Sequence, residues 1–270
     1  MKQFNLIALA LLLLALGYWL TLEPPNPNPP PSGATMVQQA QQLLKIDTNP
    51  LPDFRQFTDV KAKKQAFFDY LHPIIRANNQ HLLAQRHRLL ALKQHGLVAL
   101  DADDRAFLQA MIERYEVDPE QNLSRQLDVL LNRVDIVPVS LALTQAAMES
   151  AWGTSRFARE GNNLFGQWCY RKGCGMVPGQ RGSNQTHEVA RFVSTDRSVA
   201  SYMRNINSHR AYAELRSHRA ALRQQGQPIT GHDMAGHLLR YSERGEAYVQ
   251  ELRSMIRVNG LTPLDLAAAD

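Results

Sequence analysis

Between Val137 and Gly153 the segment PVSLALTQAAMESAW holds one charged residue, Glu149. So apolar a helix is expected to pack on most sides. An ionised carboxylate placed there is costly unless paired, so its pKa is expected to rise. A carboxyl that keeps its proton near neutrality can protonate the leaving oxygen of an ether-like bond. Trp152, three residues on, and Gln145, one turn back, are expected on the same helical face as Glu149. There an indole could cover the acid or carry a sugar ring, and the amide could hydrogen-bond a substrate. The competing reading is a glutamate at a helix end making an ordinary surface contact.

Other chemistry-bearing patterns are fewer. Cys169 and Cys174 enclose four residues in QWCYRKGCGMVPG, a spacing compatible with a small disulfide-closed loop in an oxidising compartment or with two unpaired thiols. The cluster Asp101-Ala102-Asp103-Asp104 lacks the glycine and distal glutamate of a calcium loop, so helix capping is the better account. The nine histidines show no His-Glu-x-x-His or comparable spacing. There is no phosphate-binding glycine loop and no nucleophile elbow. No metal and no cofactor are expected.

The elements that position these residues read as mainly helical. Phe67, Leu71, Ile74, Ile75, Leu82 and Leu89 recur at helical intervals through a stretch expected to span 58–95, with Pro73 inside it and Gly96 as its stop. Helices are expected at 102–115, 119–133 and 140–152. A glycine-rich loop or hairpin occupies 161–182, and a short strand 187–193. Helices follow at 198–210, 212–225, 232–241 and 246–259.

The flanks bound the compartment. Phe4–Leu22 is uncharged and long enough to cross a bilayer core of about 30 Å. Six of the 14 prolines then lie between Pro24 and Pro31, a stiff extended spacer. Lys2 favours retention of the N-terminus in the cytoplasm, and a cleaved signal peptide is the competitor. Either way the remainder is expected in an extracytoplasmic, periplasmic space, anchored in the inner membrane through residues 4–22 or released. The net charge of +5 is uneven, with 17 Lys/Arg against 10 Asp/Glu in residues 133–262. That excess suits an anionic partner, but no Lys/Arg run or aromatic-rich RNA-binding signature accompanies it, so nucleic acid is not expected. At 44% hydrophobic and 20% charged, a disordered polyelectrolyte is excluded. The expected divisions are 1–22 anchor or signal, 23–35 linker, 36–132 helical region, 133–262 catalytic domain and 263–270 tail.

QAAMESAWG at 145–153 followed by NNLFG at 162–166 resembles the signature of the bacterial β-N-acetylglucosaminidase domain, glycoside hydrolase family 73. The resemblance continues through ARFVSTDRSVASYM, where Val193 to Thr195 departs from the family's usual tyrosine position, and through YSERGEAY. It covers roughly residues 133–262, and the whole layout is similar to that of the Bax-like proteins of Gram-negative bacteria. It implies a lysozyme-like helical domain with a small β-hairpin lobe, acting on peptidoglycan glycan strands, with Glu149 as the catalytic acid. It also implies a second carboxylate, for which Glu188 is the matching candidate, and an active-site tyrosine at Tyr241. Asn162, Asn163 and Phe165 are expected to bind substrate, with turn-forming and core roles as the competing readings. A lytic transglycosylase and an inactive peptidoglycan-binding tether remain alternatives, and oligomeric state is unknown.

Overall fold

The computed structural model describes residues 50–96, 100–179 and 186–266. The expected membrane segment, its proline spacer and residues 267–270 of the tail lie outside these. Among the described residues no helix is long and apolar enough to cross a membrane.

The architecture is helical around one small sheet. A long helix α1 (Val60–His95) is capped at its start by the Asp59 carboxylate, which accepts from the Ala62 amide at 2.7 Å. It ends at Gly96, whose φ of 81° suits glycine. Helix α2 (Ala102–Arg114) starts on Asp101, which accepts from the Asp104 amide at 2.7 Å, so the acidic cluster is a cap. Helix α3 (Leu123–Arg133) begins four residues later than periodicity implies, because Asn122 accepts from the Arg125 amide while Asp118 closes a separate turn.

The apolar helix α4 (Val139–Glu149) is buried from Val139 through Ala147. It packs against α1, against α8 (Gly231–Ala235) and against α9 (Glu246–Val258). A short α5 (Arg156–Gly161) leads to the sheet, whose strands β1 (Trp168–Cys169) and β2 (Gly175–Met176) both pair antiparallel with a central β3 (Glu188–Ala190). Helices α6 (Thr195–Ser208) and α7 (Ala213–Gln224) follow, and α10 (Pro263–Leu266) packs back on α4.

Two further expected helices stop short of their patterns at the C-terminal end. The segment expected to run to Trp152 stops at Glu149. There the Ser150 hydroxyl donates to the Ala146 carbonyl and accepts from the Gly153 amide, drawing the chain into a left-handed turn. Ala151 and Trp152 sit at φ 51° and 59°, unusual for residues carrying a Cβ, and Gly153 follows at 75°. A Cβ on Gly153 would lie 2.5 Å from the Phe54 ring, so glycine permits both the turn and the packing. The segment expected at 232–241 is helical only to Ala235. It breaks at Gly236, where a Cβ would come within 2.7 Å of the Arg253 guanidinium.

The region before α4 is packed onto the later helices. Phe54, Phe67 and Phe68 are buried, and Trp152 meets the Phe67 and Phe68 rings edge-on at 5.7 and 5.3 Å. The Asn79 amide exchanges hydrogen bonds with the Val137 backbone, 2.8 and 3.0 Å. Buried Asp135 collects three arginines from two elements: Arg223 at 2.6 Å, Arg86 of α1 at 3.6 Å and Arg219 at 3.9 Å. Burial alone would push its carboxyl up, but these guanidinium groups hold it below the usual carboxylate range.

Candidate active site

Glu149 is the last residue of α4, at the negative end of that helix and beside the left-handed turn. The residue is exposed, yet neighbouring protein crowds its carboxyl and pushes the pKa up; the Tyr248 hydrogen bond and the charge of Arg244 oppose that rise. Its two oxygens have different surroundings. Oε1 accepts from the Tyr248 hydroxyl at 3.0 Å. Oε2 looks over Gly166, whose missing Cβ would lie 3.6 Å away. The carboxyl is therefore held from one side and open over bare backbone on the other.

Behind it runs a relay of buried polar groups. Tyr202 donates to the Gln145 side-chain oxygen at 2.6 Å, Gln145 donates to the Tyr248 hydroxyl at 3.1 Å, and Tyr248 donates to Glu149. Burial pushes the Tyr202 and Tyr248 phenols well above their ordinary range, and the charge of Glu149 adds to this, so both remain neutral donors. Tyr241 stacks on Tyr248 at 5.5 Å between ring centroids and donates to the Phe165 carbonyl at 3.3 Å. Phe165 lies parallel to Tyr202 at 4.0 Å.

Several residues expected to meet substrate are instead occupied in building this site. Gln145 is fully buried and both ends of its amide are used, so it positions Tyr248. Trp152 does not share the face of Glu149: the helix ends first, and the indole docks on α1 with the Lys64 ammonium 5.0 Å from its centre. Asn162 caps α5 in the left-handed region and donates to the Phe192 carbonyl at 3.0 Å. Asn163 is buried, donates to the Gln167 and Ala190 carbonyls and accepts from the Phe165 and Gln167 amides. This clamp fixes the turn that presents Gly166 to the acid. Phe165 is core.

Glu188 lies on the central strand, 6% exposed, with one oxygen accepting from the Gly173 amide at 3.0 Å and the other from Gly175 at 2.8 Å. In this arrangement both oxygens close the β1–β2 loop. That loop joins the two edge strands past the central β3 and is not the expected hairpin, since β1 and β2 do not pair with each other. Cys169 and Cys174 form the expected disulfide across that loop. Their sulfurs and the Glu188 carboxylate come close together, but disulfide sulfurs are not thiolates and make no cation site.

Tyr248 is the residue that sequence reasoning missed. Its signal was available, since it ends the same YSERGEAY segment that begins with Tyr241. Spacing does not reveal which of the two phenols reaches the acid.

The glucosaminidase family, described as mannosyl-glycoprotein endo-β-N-acetylglucosaminidase, matches residues 125–261, a span that includes α4, the sheet, Tyr248 and most of α3. Protein bax of Escherichia coli (strain K12) is 36% identical over 211 residues, covering 77% of this chain and 74% of that protein. No solved structure matches. An acid on an apolar helix, the asparagine-clamped turn facing it and a family match spanning both lead to one assignment: this chain belongs to the glucosaminidase domain family of glycoside hydrolases, as a Bax-like member.

Proposed function

We propose that this protein is a peptidoglycan hydrolase that cleaves β-1,4 glycosidic bonds at N-acetylglucosamine, with Glu149 as general acid. The observation that carries the reading is the asymmetric carboxyl. Tyr248 occupies Oε1, so the proton belongs on Oε2, the oxygen facing the open side over Gly166. A glycosidic oxygen placed there takes that proton as its bond to the anomeric carbon breaks and the bonding electrons leave with it. Water adds to the resulting oxocarbenium-like carbon and releases one proton to solvent, from which the Glu149 carboxylate takes one back and the acid is restored. The raised pKa keeps Glu149 in the donating form at higher pH than an ordinary glutamate.

Burial and neutrality of Tyr202 and Tyr248 support a positioning role: they hold the acid without competing for its proton. The disulfide supports an oxidising, extracytoplasmic location. The basic surplus of residues 133–262 suits a polymer bearing peptide carboxylates.

The test is digestion of purified murein sacculi by the full-length chain and by E149Q, with mass spectrometry of the soluble fragments. Reducing N-acetylglucosamine ends are expected, with a loss of about 100-fold or more in E149Q. Equal release by both proteins would remove Glu149 from the reaction. Anhydromuramic ends would convert the assignment to a lytic transglycosylase, and no release by either would leave a wall-binding tether.

A further inference from the structure

The β1–β2 segment that follows Gly166 carries side chains that the proposed reaction does not use. Trp168 is 57% exposed, Tyr170 72% and Val177 50%, all within the segment that carries β1, β2 and the loop joining them, where burial of such groups would ordinarily be favoured. They are not loose. The Trp168 indole lies almost parallel to the His187 ring, 4.1 Å between centroids and 13° between planes, so one face is backed and the indole is held in place. The strand bearing it pairs with β3, the Cys169–Cys174 bond closes the loop after it, and Glu188 ties that loop through two amides. Arg171 and Lys172, exposed in the enclosed loop, make no ion pair among the described residues.

Position relates this surface to the acid. Gly166 faces the Glu149 carboxyl, and Trp168 follows two residues later, so its backbone lies within about 7 Å of Gly166. Trp168 therefore borders the stretch of backbone on which a glycan strand laid over Gly166 would rest. Sugar rings present flat C–H faces that suit a pinned indole, and stem peptides of the polymer carry carboxylates that suit Arg171 and Lys172.

We propose that the disulfide-closed β1–β2 loop, with the strand that leads into it, is a glycan-docking platform. The exposed aromatic surface of Trp168 and Tyr170 takes a saccharide of the strand cut at Glu149, while Arg171 and Lys172 take a carboxylate of its peptide stem. This rests on the peptidoglycan reading above. The platform accounts for the exposed aromatics, for the support built under Trp168 and for the exposed cations at the loop.

The experiment measures co-sedimentation of full-length E149Q with intact sacculi and with glycan strands stripped of peptide. Adding W168A is expected to weaken binding to both polymers about 3- to 10-fold, with W168F restoring most of it. Adding R171E and K172E is expected to weaken binding to sacculi and leave stripped strands unaffected. Y170A leaves the His187 stack in place and gives the same readout should W168A fold poorly. Undiminished binding by W168A and Y170A overturns the platform, and equal loss on both polymers after charge reversal overturns the carboxylate contact. Fragment release by the wild-type chain and binding by E149Q separate these failures from failure of the peptidoglycan reading, which would show as no release by the wild type together with no binding of E149Q to either polymer.

Discussion

Tyr248→Phe is the sharpest probe of the site, because it removes one oxygen and keeps the ring. The phenyl ring left by this substitution would retain the stack on Tyr241, 5.5 Å between centroids in the wild type. Two bonds disappear: the donation to Glu149 Oε1 at 3.0 Å and the acceptance from Gln145 at 3.1 Å. A hydrogen bond to an ionisable group contributes about 1.5–3 kcal/mol, which at about 1.4 kcal/mol per decade gives a kcat/KM loss of about 10- to 100-fold. The sign of the pH effect follows from which form the bond favours. Tyr248 donates to the carboxylate and so lowers a pKa that burial raises. Its removal lets the pKa climb further, and a general acid works only while protonated. The alkaline fall in kcat/KM therefore moves to higher pH while the plateau drops. Gln145 loses a buried acceptor at a cost of about 1–3 kcal/mol, a melting-temperature decrease of roughly 2–12 °C. The assay is a pH–rate profile on sacculi beside thermal unfolding. An alkaline limb that stays in place or moves to lower pH would refute the role assigned to Tyr248, since a purely structural defect lowers the plateau without moving the limb.

Further outcomes test the surrounding framework. Glu188→Gln, which weakens the acceptors for Gly173 and Gly175, is expected to lower the melting temperature by a few degrees and activity by less than about tenfold; a loss as large as that of E149Q at unchanged stability would return Glu188 to the chemistry. Asp135→Asn strips the counter-charge from Arg219, which is 1% exposed, and from Arg223, at about 3–5 kcal/mol. Unfolding about 10 °C lower is expected, and a shift within about 2 °C would contradict the network. E149Q itself is expected to unfold at higher temperature than the wild type at neutral pH, with the gap closing in acid. A carboxyl whose folded pKa is raised stabilises the fold below its unfolded pKa, and that contribution is lost as pH rises through the folded pKa. A neutral glutamine has no such loss, so a gap independent of pH would count against the raised pKa.

Local rules carried much of this protein. One charge in an apolar stretch marked Glu149, because an apolar segment draws protein around its lone carboxyl, which is crowded although the residue itself stays exposed. Helical periodicity located α1 within two residues at its start, and Asp59, Asp101 and Gly96 are caps that depend on neighbours along the chain. The cysteine spacing pointed to the disulfide. The ordered motifs at 145–153 and 162–166 identified the family.

Side-chain roles inside the site were decided by the tertiary fold. Glu149 and Tyr248 are 99 positions apart, and no periodicity connects them. Gln145 shares a helix with the acid, but its role depends on Tyr202 and Tyr248 arriving from α6 and α9. Trp152 was assigned a face by extending the helix three residues too far. The Ser150 hydroxyl and the left-handed turn end the helix at the acid, and the indole goes to α1 instead. Sequence thus determined which carboxyl is isolated from other charges, a local matter of what surrounds it along the chain. Only the folded structure decided which hydroxyl holds that carboxyl, because the hydrogen bond depends on where separate helices cross.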